Sequence, residues 1–138
     1  MEKQPYLTLR VARQEFVMEA SYLRGLLPIH DLASLNTPHA WLLGFTALGG
    51  RDLPVVDVRA KLGLAPGTHG RQPCIVVVEA AVGRLAGFVA DRVSEIVELR
   101  ERDFRGAVAR INGRARRVLD PAAILTEEDY AAIWSSVW

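Results

Sequence analysis

The chain has 138 residues, 50% of them hydrophobic, and its 17 lysines and arginines nearly balance its 16 aspartates and glutamates. This length can bury one sizeable core but not two independent domains of ordinary size. The net charge of +1 gives no global reason to expect nucleic acid or an anionic membrane as a partner, and no apolar stretch approaches the roughly 20 residues that a membrane-spanning helix needs.

The first predicted element is a β-hairpin. Residues 6–11 alternate between apolar and polar side chains, and residues 16–20 form the partner strand across a short turn. The following stretch, residues 22–35, is apolar but is interrupted by Gly25 and Pro28. This pattern predicts short strands and turns.

A second hairpin is predicted over residues 41–58, where the Gly49-Gly50 pair supplies the positive φ angles of a tight turn. Asp57 lies at the end of this hairpin and is predicted to cap a short helix that Gly63 ends. The loop 65–70 consists of turn residues and predicts a boundary between two lobes.

The second half reads as further strands and a final helix. Four consecutive apolar residues at 75–78 indicate a strand that is covered on both faces, which requires two packed layers or a closed barrel. Thr126 and the acids behind it predict the start of a C-terminal helix. Further strands are predicted at residues 85–90 and 93–99.

Two glycines and an aspartate recur at similar spacing in both halves, which suggests duplication of a small β-lobe. The spacings are six and seven residues for Gly44, Gly50 and Asp57, and seven and seven for Gly106, Gly113 and Asp120. Two such lobes side by side would leave a groove between them.

Few residues suggest catalysis. The three histidines are His30, His39 and His69, and no Gly-x-Ser-x-Gly elbow, phosphate-binding loop or His-Glu-x-x-His motif is present. Solvated turn histidines are therefore predicted, and hydrolysis is the least favoured class of function. Asp57 and Asp91 could pair for acid–base work, but each follows a strand, where aspartate commonly accepts backbone N–H bonds.

The single cysteine, Cys74, excludes an intramolecular disulfide framework and a cysteine-based zinc site. Its apolar neighbours predict a buried, inert thiol rather than a nucleophile. The first residues mix acid and base without a long apolar run behind them, unlike a secretory signal. We therefore expect a cytoplasmic protein.

One segment, residues 100–117, is strongly basic. On a small β-barrel such a cluster could bind nucleic-acid phosphates, which is the alternative function. Phe104 is its only aromatic residue, so a stacking platform for single strands is missing. Instead of binding nucleic acid, the basic segment could form a solvated face or contact an acidic protein. The arginines are Arg100, Arg102, Arg105, Arg110, Arg114, Arg116 and Arg117.

Two segments resemble signatures of the CheW family. Residues 43–59 are similar to the motif Gly-x-x-Asn-Leu-Arg-Gly-x-x-x-Pro-Val-x-Asp-Leu-Arg, and residues 87–96 to the motif Gly-x-x-Val-Asp-x-Val-x-x-Val. The resemblance implies a mostly β-fold of two five-stranded barrels packed side by side, with a short C-terminal helix. It predicts one domain over residues 1–138, with lobes at about 14–66 and 71–125 that share strands, and a helix within 126–138.

The resemblance also implies a non-enzymatic adaptor without cofactor or metal. Its expected partners are the regulatory domain of a CheA-like histidine kinase and the cytoplasmic tip of a chemoreceptor, with recruitment to membrane receptor arrays. The implied kinase face is Leu23, Arg24, Gly25 and Leu26. The implied receptor groove is Gly44, Phe45, Leu48, Gly50 and Arg51 with Val89, Asp91 and Val93.

Three positions depart from the family pattern. Ala47 and Gly49 replace the Asn and Arg of the first motif, and Arg51 is the nearest substitute for the lost arginine. Gly25 stands where the family usually has Glu. These departures predict that partner choice differs from that of a typical member.

Overall fold

The computed structural model describes residues 2–29, 33–34, 39–65 and 73–135, which form twelve strands and three α-helices. The strands are β1 Gln4–Val11, β2 Gln14–Glu19, β3 Leu23–Pro28, β4 Ala33–Ser34, β5 Leu42–Leu48, β6 Arg51–Val56, β7 Cys74–Ala81, β8 Arg84–Ala90, β9 Arg92–Leu99, β10 Phe104–Arg105, β11 Val108–Ile111 and β12 Arg114–Val118. The helices are α1 Val58–Leu62, α2 Pro121–Ile124 and α3 Glu127–Ser135.

The strands form two six-stranded sheets. Sheet A has the order β10-β11-β12-β2-β1-β9, and sheet B has the order β3-β7-β8-β6-β5-β4. The predicted mostly β-fold with a C-terminal helix is confirmed, but the strands are not arranged in two closed five-stranded barrels. Neither pair of outer strands, β9 with β10 or β3 with β4, closes a ladder within the described chain. The lobe limits 14–66 and 71–125 stay a prediction.

Three apolar clusters form the core of the molecule. The largest lies between the sheets and joins the inner faces of β1 and β2 to those of β5, β7 and β8 and to α2 and α3. A second lies on the far side of sheet B, around Val55 and Val77, and a third on the far side of sheet A, around Val17. Residues 75–78 therefore divide their side chains between two clusters, as their continuous apolar run predicts.

Both predicted halves of the repeat adopt the same local arrangement. A glycine-containing hairpin, β5–β6 or β11–β12, is followed by a short helix whose N-cap aspartate accepts a backbone N–H bond. Asp57 accepts from Arg59 at 3.1 Å, and Asp120 accepts from Ala122 at 3.0 Å. The second strand of each hairpin also pairs in parallel with another strand, β8 or β2.

Side-chain contacts cap the start of α3 and attach it to α1. Its first turn carries a reciprocal cap: Thr126 Oγ1 accepts from the Asp129 N–H, and Asp129 Oδ2 accepts from the Thr126 N–H. The Lys61 ammonium lies 2.7 Å from Asp129 Oδ2 and ties α3 to α1. In the described ranges, no helix is both long and apolar enough to cross a bilayer.

Candidate functional site

An open apolar cleft lies where the β5–β6 turn, the β7–β8 turn and α3 meet. Its volume is about 290 Å³. The floor consists of aliphatic side chains from β5, β6 and β8, and the Trp134 side chain, 48% exposed, forms one wall. The lining residues are Leu48, Arg51, Asp52, Leu53, Gly83, Leu85 and Trp134.

The sequence determines the cleft through two tight turns. Gly49 and Gly50 have φ angles of 56° and 80°, as the predicted turn requires, and bring Leu48 back beside Arg51. The second turn is held by Glu79, whose carboxylate accepts a bond from the Gly83 N–H at 2.8 Å. The hydrogen bonds from Gly83 and then Arg24 lower the pKa of Glu79, so the carboxylate that fixes this turn is ionised at neutral pH.

The cleft combines an apolar floor with a charged rim. Leu48 and Leu85 belong to the cluster on the far side of sheet B, which opens to solvent here. Arg51 and Asp52 are exposed at the rim. Such a surface suits a partner that contributes an apolar side chain surrounded by polar groups.

The structure separates the eight residues of the predicted receptor groove into groups. Leu48, Gly50 and Arg51 lie at the cleft or its turn. Phe45 is 7% exposed and belongs to the inter-sheet cluster, and its ring centroid lies 6.3 Å from that of Trp134, so it lies near the wall of the cleft and not in its floor. Gly44 is a buried residue of β5 with a φ of 151°, next to a β-bulge.

Val89, Asp91 and Val93 lie at the other end of β8. Val89 lies six positions after Gly83, which corresponds to roughly 20 Å along an extended strand. Asp91 is 8% exposed, and its Oδ2 accepts a bond from the Ala12 N–H at 2.9 Å. Asp91 therefore accepts a backbone N–H bond, as predicted, but from the β1–β2 turn rather than from the turn that follows its own strand, and the eight residues are not brought together in one cleft.

The predicted kinase face lies on β3, which pairs with β7 and is an outer strand of sheet B among the described strands. Leu26 is 49% exposed, whereas Leu23 packs against the inter-sheet cluster. Arg24 bonds the Glu79 carboxylate at 2.9 Å. A Cβ added at Gly25 would meet no atom within 4 Å, so the missing side chain leaves open space.

The described residues offer little metal or nucleophile chemistry. No group of three or more His, Cys, Asp or Glu side chains suited to a metal occurs in the described ranges. Cys74 is partly buried, and burial raises the pKa of its thiol, as expected for an inert cysteine. His39 lies beside Trp41, with ring centroids 5.2 Å apart, while His30 and His69 lie outside the described residues.

Sequence reasoning missed the contribution of α3 to the cleft. The helix predicted after Thr126 carries no functional residue in the sequence analysis, whereas the structure buries Tyr130 and Ile133 and leaves Trp134 48% exposed at the cleft. Its neighbour Leu85 was assigned to a strand without a functional role. The exposure of Trp134 could have been predicted from its position directly after Ile133, because neighbouring side chains point about 100° apart around a helix.

Comparisons with known proteins agree with this fold. A family model described as a CheW-like domain matches residues 5–135. The chain belongs to this family.

Two curated relatives are named as chemotaxis proteins. The chemotaxis protein CheW of Rhizobium meliloti (strain 1021) is 32% identical, over 72% of this chain and 63% of that protein. The probable chemotaxis protein CheW of Rhizobium etli is 26% identical, over 91% of this chain and 90% of that protein. The chain thus spans less than two thirds of the length of the first relative and nine tenths of the second.

A solved structure has the same fold. The scaffolding protein TtCheW from Thermoanaerobacter tengcongensis superposes with a TM-score of 0.82, covering 93% of this chain and 96% of that one. The sequence identity is 14%, so this likeness concerns the fold.

Proposed function

We propose that this chain is a chemotaxis-type adaptor that couples a chemoreceptor to a CheA-like histidine kinase by protein–protein binding and catalyses no reaction. The observation that carries the proposal is the CheW-like match over residues 5–135, which spans nearly all described residues. The names of the two Rhizobium relatives support a role in chemotaxis.

An adaptor needs separate surfaces for its partners, and sheet B offers two. The outer strand β3 lies at one edge, and the β5–β6 turn that lines the cleft lies towards the other, with β7 and β8 between them. We assign β3 to the kinase and the cleft to the receptor tip. Two partners placed in this way can bind the same molecule at once.

The kinase contact can be tested at Leu26, because this side chain is half exposed and its replacement leaves the core intact. We expect wild-type protein to bind the regulatory domain of a CheA-like kinase from the same genome with a Kd of about 1 µM or tighter. Leu26→Asp should weaken binding about tenfold, since an uncompensated charge would be desolvated in the interface. Isothermal titration calorimetry measures both values.

Ile96→Asp is the matched control, because Ile96 is 51% exposed but lies on β9 of sheet A. This variant should bind the kinase domain like the wild type. If the folded wild-type chain binds no such kinase domain, the proposed coupling role is wrong. If Ile96→Asp weakens binding as much as Leu26→Asp, the contact does not lie on β3.

The receptor contact can be tested at Arg51, an exposed residue on the rim of the cleft. Arg51→Glu should weaken binding of a receptor-tip helical hairpin several-fold, about 1 kcal/mol, because a rim charge contributes modestly to affinity. Trp134→Ala should weaken it more, because half-buried aromatic side chains are frequent binding hot spots. Fluorescence anisotropy of a labelled hairpin gives the affinities.

Arg92→Glu serves as the control for this surface, because Arg92 is also an exposed strand arginine but lies on sheet A. Its affinity for the hairpin should equal that of the wild type. Wild-type affinity in both Arg51→Glu and Trp134→Ala would remove the cleft as the receptor site.

A further inference from the structure

Three arginines project from one face of sheet A near its outer strand. Cross-strand pairing places Arg105 opposite Val108 and Val108 opposite Arg117. Arg110 lies two residues from Val108 along β11 and therefore projects on the same side. All three arginines are exposed. We call Arg105, Arg110 and Arg117, with Val108 and Ala115 between them, the arginine face.

The arginine face carries uncompensated positive charge. Several arginines of the described chain form ion pairs with carboxylates, but Arg105, Arg110 and Arg117 are not among them. The carboxylate of Asp103, two residues before Arg105, already accepts a hydrogen bond from the Arg100 backbone N–H at 2.7 Å. The face therefore offers three guanidinium groups to an external anion.

A groove of about 260 Å³ runs beside Arg117 on this face. Val108, 38% exposed, and Ala115 provide apolar surface in the groove. The Arg117 guanidinium is positioned in advance, since it lies 5.3 Å from the Phe16 ring centroid and donates to Gln14 Oε1 at 3.1 Å. Arg116, also in the groove, has a buried Nε without a hydrogen-bond partner in the described structure.

The chemistry of the groove favours carboxylates. Glu15, which lines it, already accepts bonds from Arg10 at 3.0 Å and from Arg116 at 2.9 Å. Planar guanidinium groups match carboxylates in geometry and bind them strongly. The apolar surface between the arginines suits small aliphatic side chains.

The aromatic rings near the face are partly or fully buried. The Phe104 ring packs 5.1 Å from that of Tyr6, and Phe16 is 1% exposed beneath Arg117. Among described residues 100–118, no aromatic side chain is free for base stacking. This arrangement favours a polypeptide over single-stranded nucleic acid, which is usually bound on exposed aromatic rings.

We propose that the arginine face binds an acidic segment of a protein partner, with carboxylates on the arginines and a small apolar side chain on Val108. The face lies on sheet A, whereas β3 and the cleft belong to sheet B. It is therefore a third contact surface that does not depend on the assignment of kinase and receptor.

The test uses the purified chain and a labelled peptide of alternating glutamate and alanine, measured by fluorescence anisotropy at moderate and high salt. The wild type should bind this peptide in preference to a lysine–alanine peptide, and binding should weaken with salt. Arg110→Ser/Arg117→Ser should weaken binding about tenfold. Arg92→Ser, an exposed arginine on β9 of the same sheet, should change it by less than about twofold.

Melting temperatures show whether each variant is folded. If Arg117→Ser destabilises the chain by removing the contact with Phe16, Arg105→Ser/Arg110→Ser provides an alternative pair without that contact. Unchanged peptide affinity in the folded arginine pair would overturn the proposal. Tighter binding of a labelled oligothymidylate at the same salt, lost in the same variants, would assign the face to nucleic acid and also overturn it.

Discussion

Gly87 lies in the middle of β8, between β7 and β6, and faces the apolar cluster on the far side of sheet B. An added Cβ would overlap with Ile75 Cγ2 and lie 3.3 Å from Leu53 Cδ2. Both side chains are almost fully buried, so neither can move away freely. We expect Gly87→Ala to lower the free energy of unfolding by about 1–3 kcal/mol, as overpacking does. Urea denaturation measures this change.

Gly25→Ala is the matched control, because it lies in the same sheet and an added Cβ there meets no atom within 4 Å. It should leave the free energy of unfolding unchanged within about 0.5 kcal/mol or raise it slightly. Equal loss of stability in both variants would contradict the packing argument.

Gly44 shows how much the sequence can predict about a single residue. A glycine inside a predicted strand indicates a close backbone approach, and the family resemblance placed it in the receptor groove. The structure gives it a φ of 151° and buries it in β5. Because a side chain is strained there, Gly44→Asp would test stability rather than binding. Neither φ nor burial can be read from a single glycine.

Among the secondary-structure elements, α3 is attached partly through Asp129. Burial alone would raise the pKa of Asp129 above its ordinary value of 3.8, but hydrogen bonds from the Lys61 ammonium and the Thr126 N–H hold it below that value. Because the folded pKa is lower than the unfolded one, the ionised carboxylate stabilises the fold at pH values above 3.8. This stability is lost as the pH falls through the lowered folded pKa.

Asp129→Asn should therefore lower the free energy of unfolding by about 1–2 kcal/mol at neutral pH, because a charge-assisted bond becomes a neutral one. The difference from the wild type should shrink in acid. Chemical denaturation at several pH values measures it. Glu128→Gln, at an exposed position of the same helix, is the control and should leave the free energy of unfolding at neutral pH within about 0.5 kcal/mol of the wild type. A constant difference at all pH values would rule out Asp129 as the titrating group.

The sequence predicts those elements whose local chemistry is unambiguous. The first hairpin, the Gly49-Gly50 turn, the cap at Asp57 and the left-handed Gly63 all agree with the structure. The β11–β12 hairpin was not assigned, because its strands contain four arginines and little apolar surface. Its turn, Asn112-Gly113, has φ angles of 51° and 78° and is the strongest short hairpin motif in the segment.

At the scale of the whole molecule, strand pairing across long sequence separations limits what the sequence can show. The apolar run at 75–78 predicts that both faces are covered, but it does not reveal which strands lie beside it. In sheet A, β1 pairs with β9 and β2 pairs with β12, so β9 and β10 become the outer strands of an open sheet and do not close a barrel. For the same reason the family motifs do not reveal that Arg51, at the start of β6, and Asp91, just beyond β8, lie at opposite ends of the parallel β6–β8 pair.

The division of strands between the sheets also sets an order of assembly during synthesis. All strands of sheet B lie between Leu23 and Ala90, so this sheet can form once that part of the chain has left the ribosome. The hairpin of β1 and β2 emerges first but obtains its neighbours β9 and β12 last. Such long-range closure is slow. Until β9 and β12 are made, the β1–β2 hairpin therefore has two unpaired outer edges, and unpaired strand edges promote aggregation.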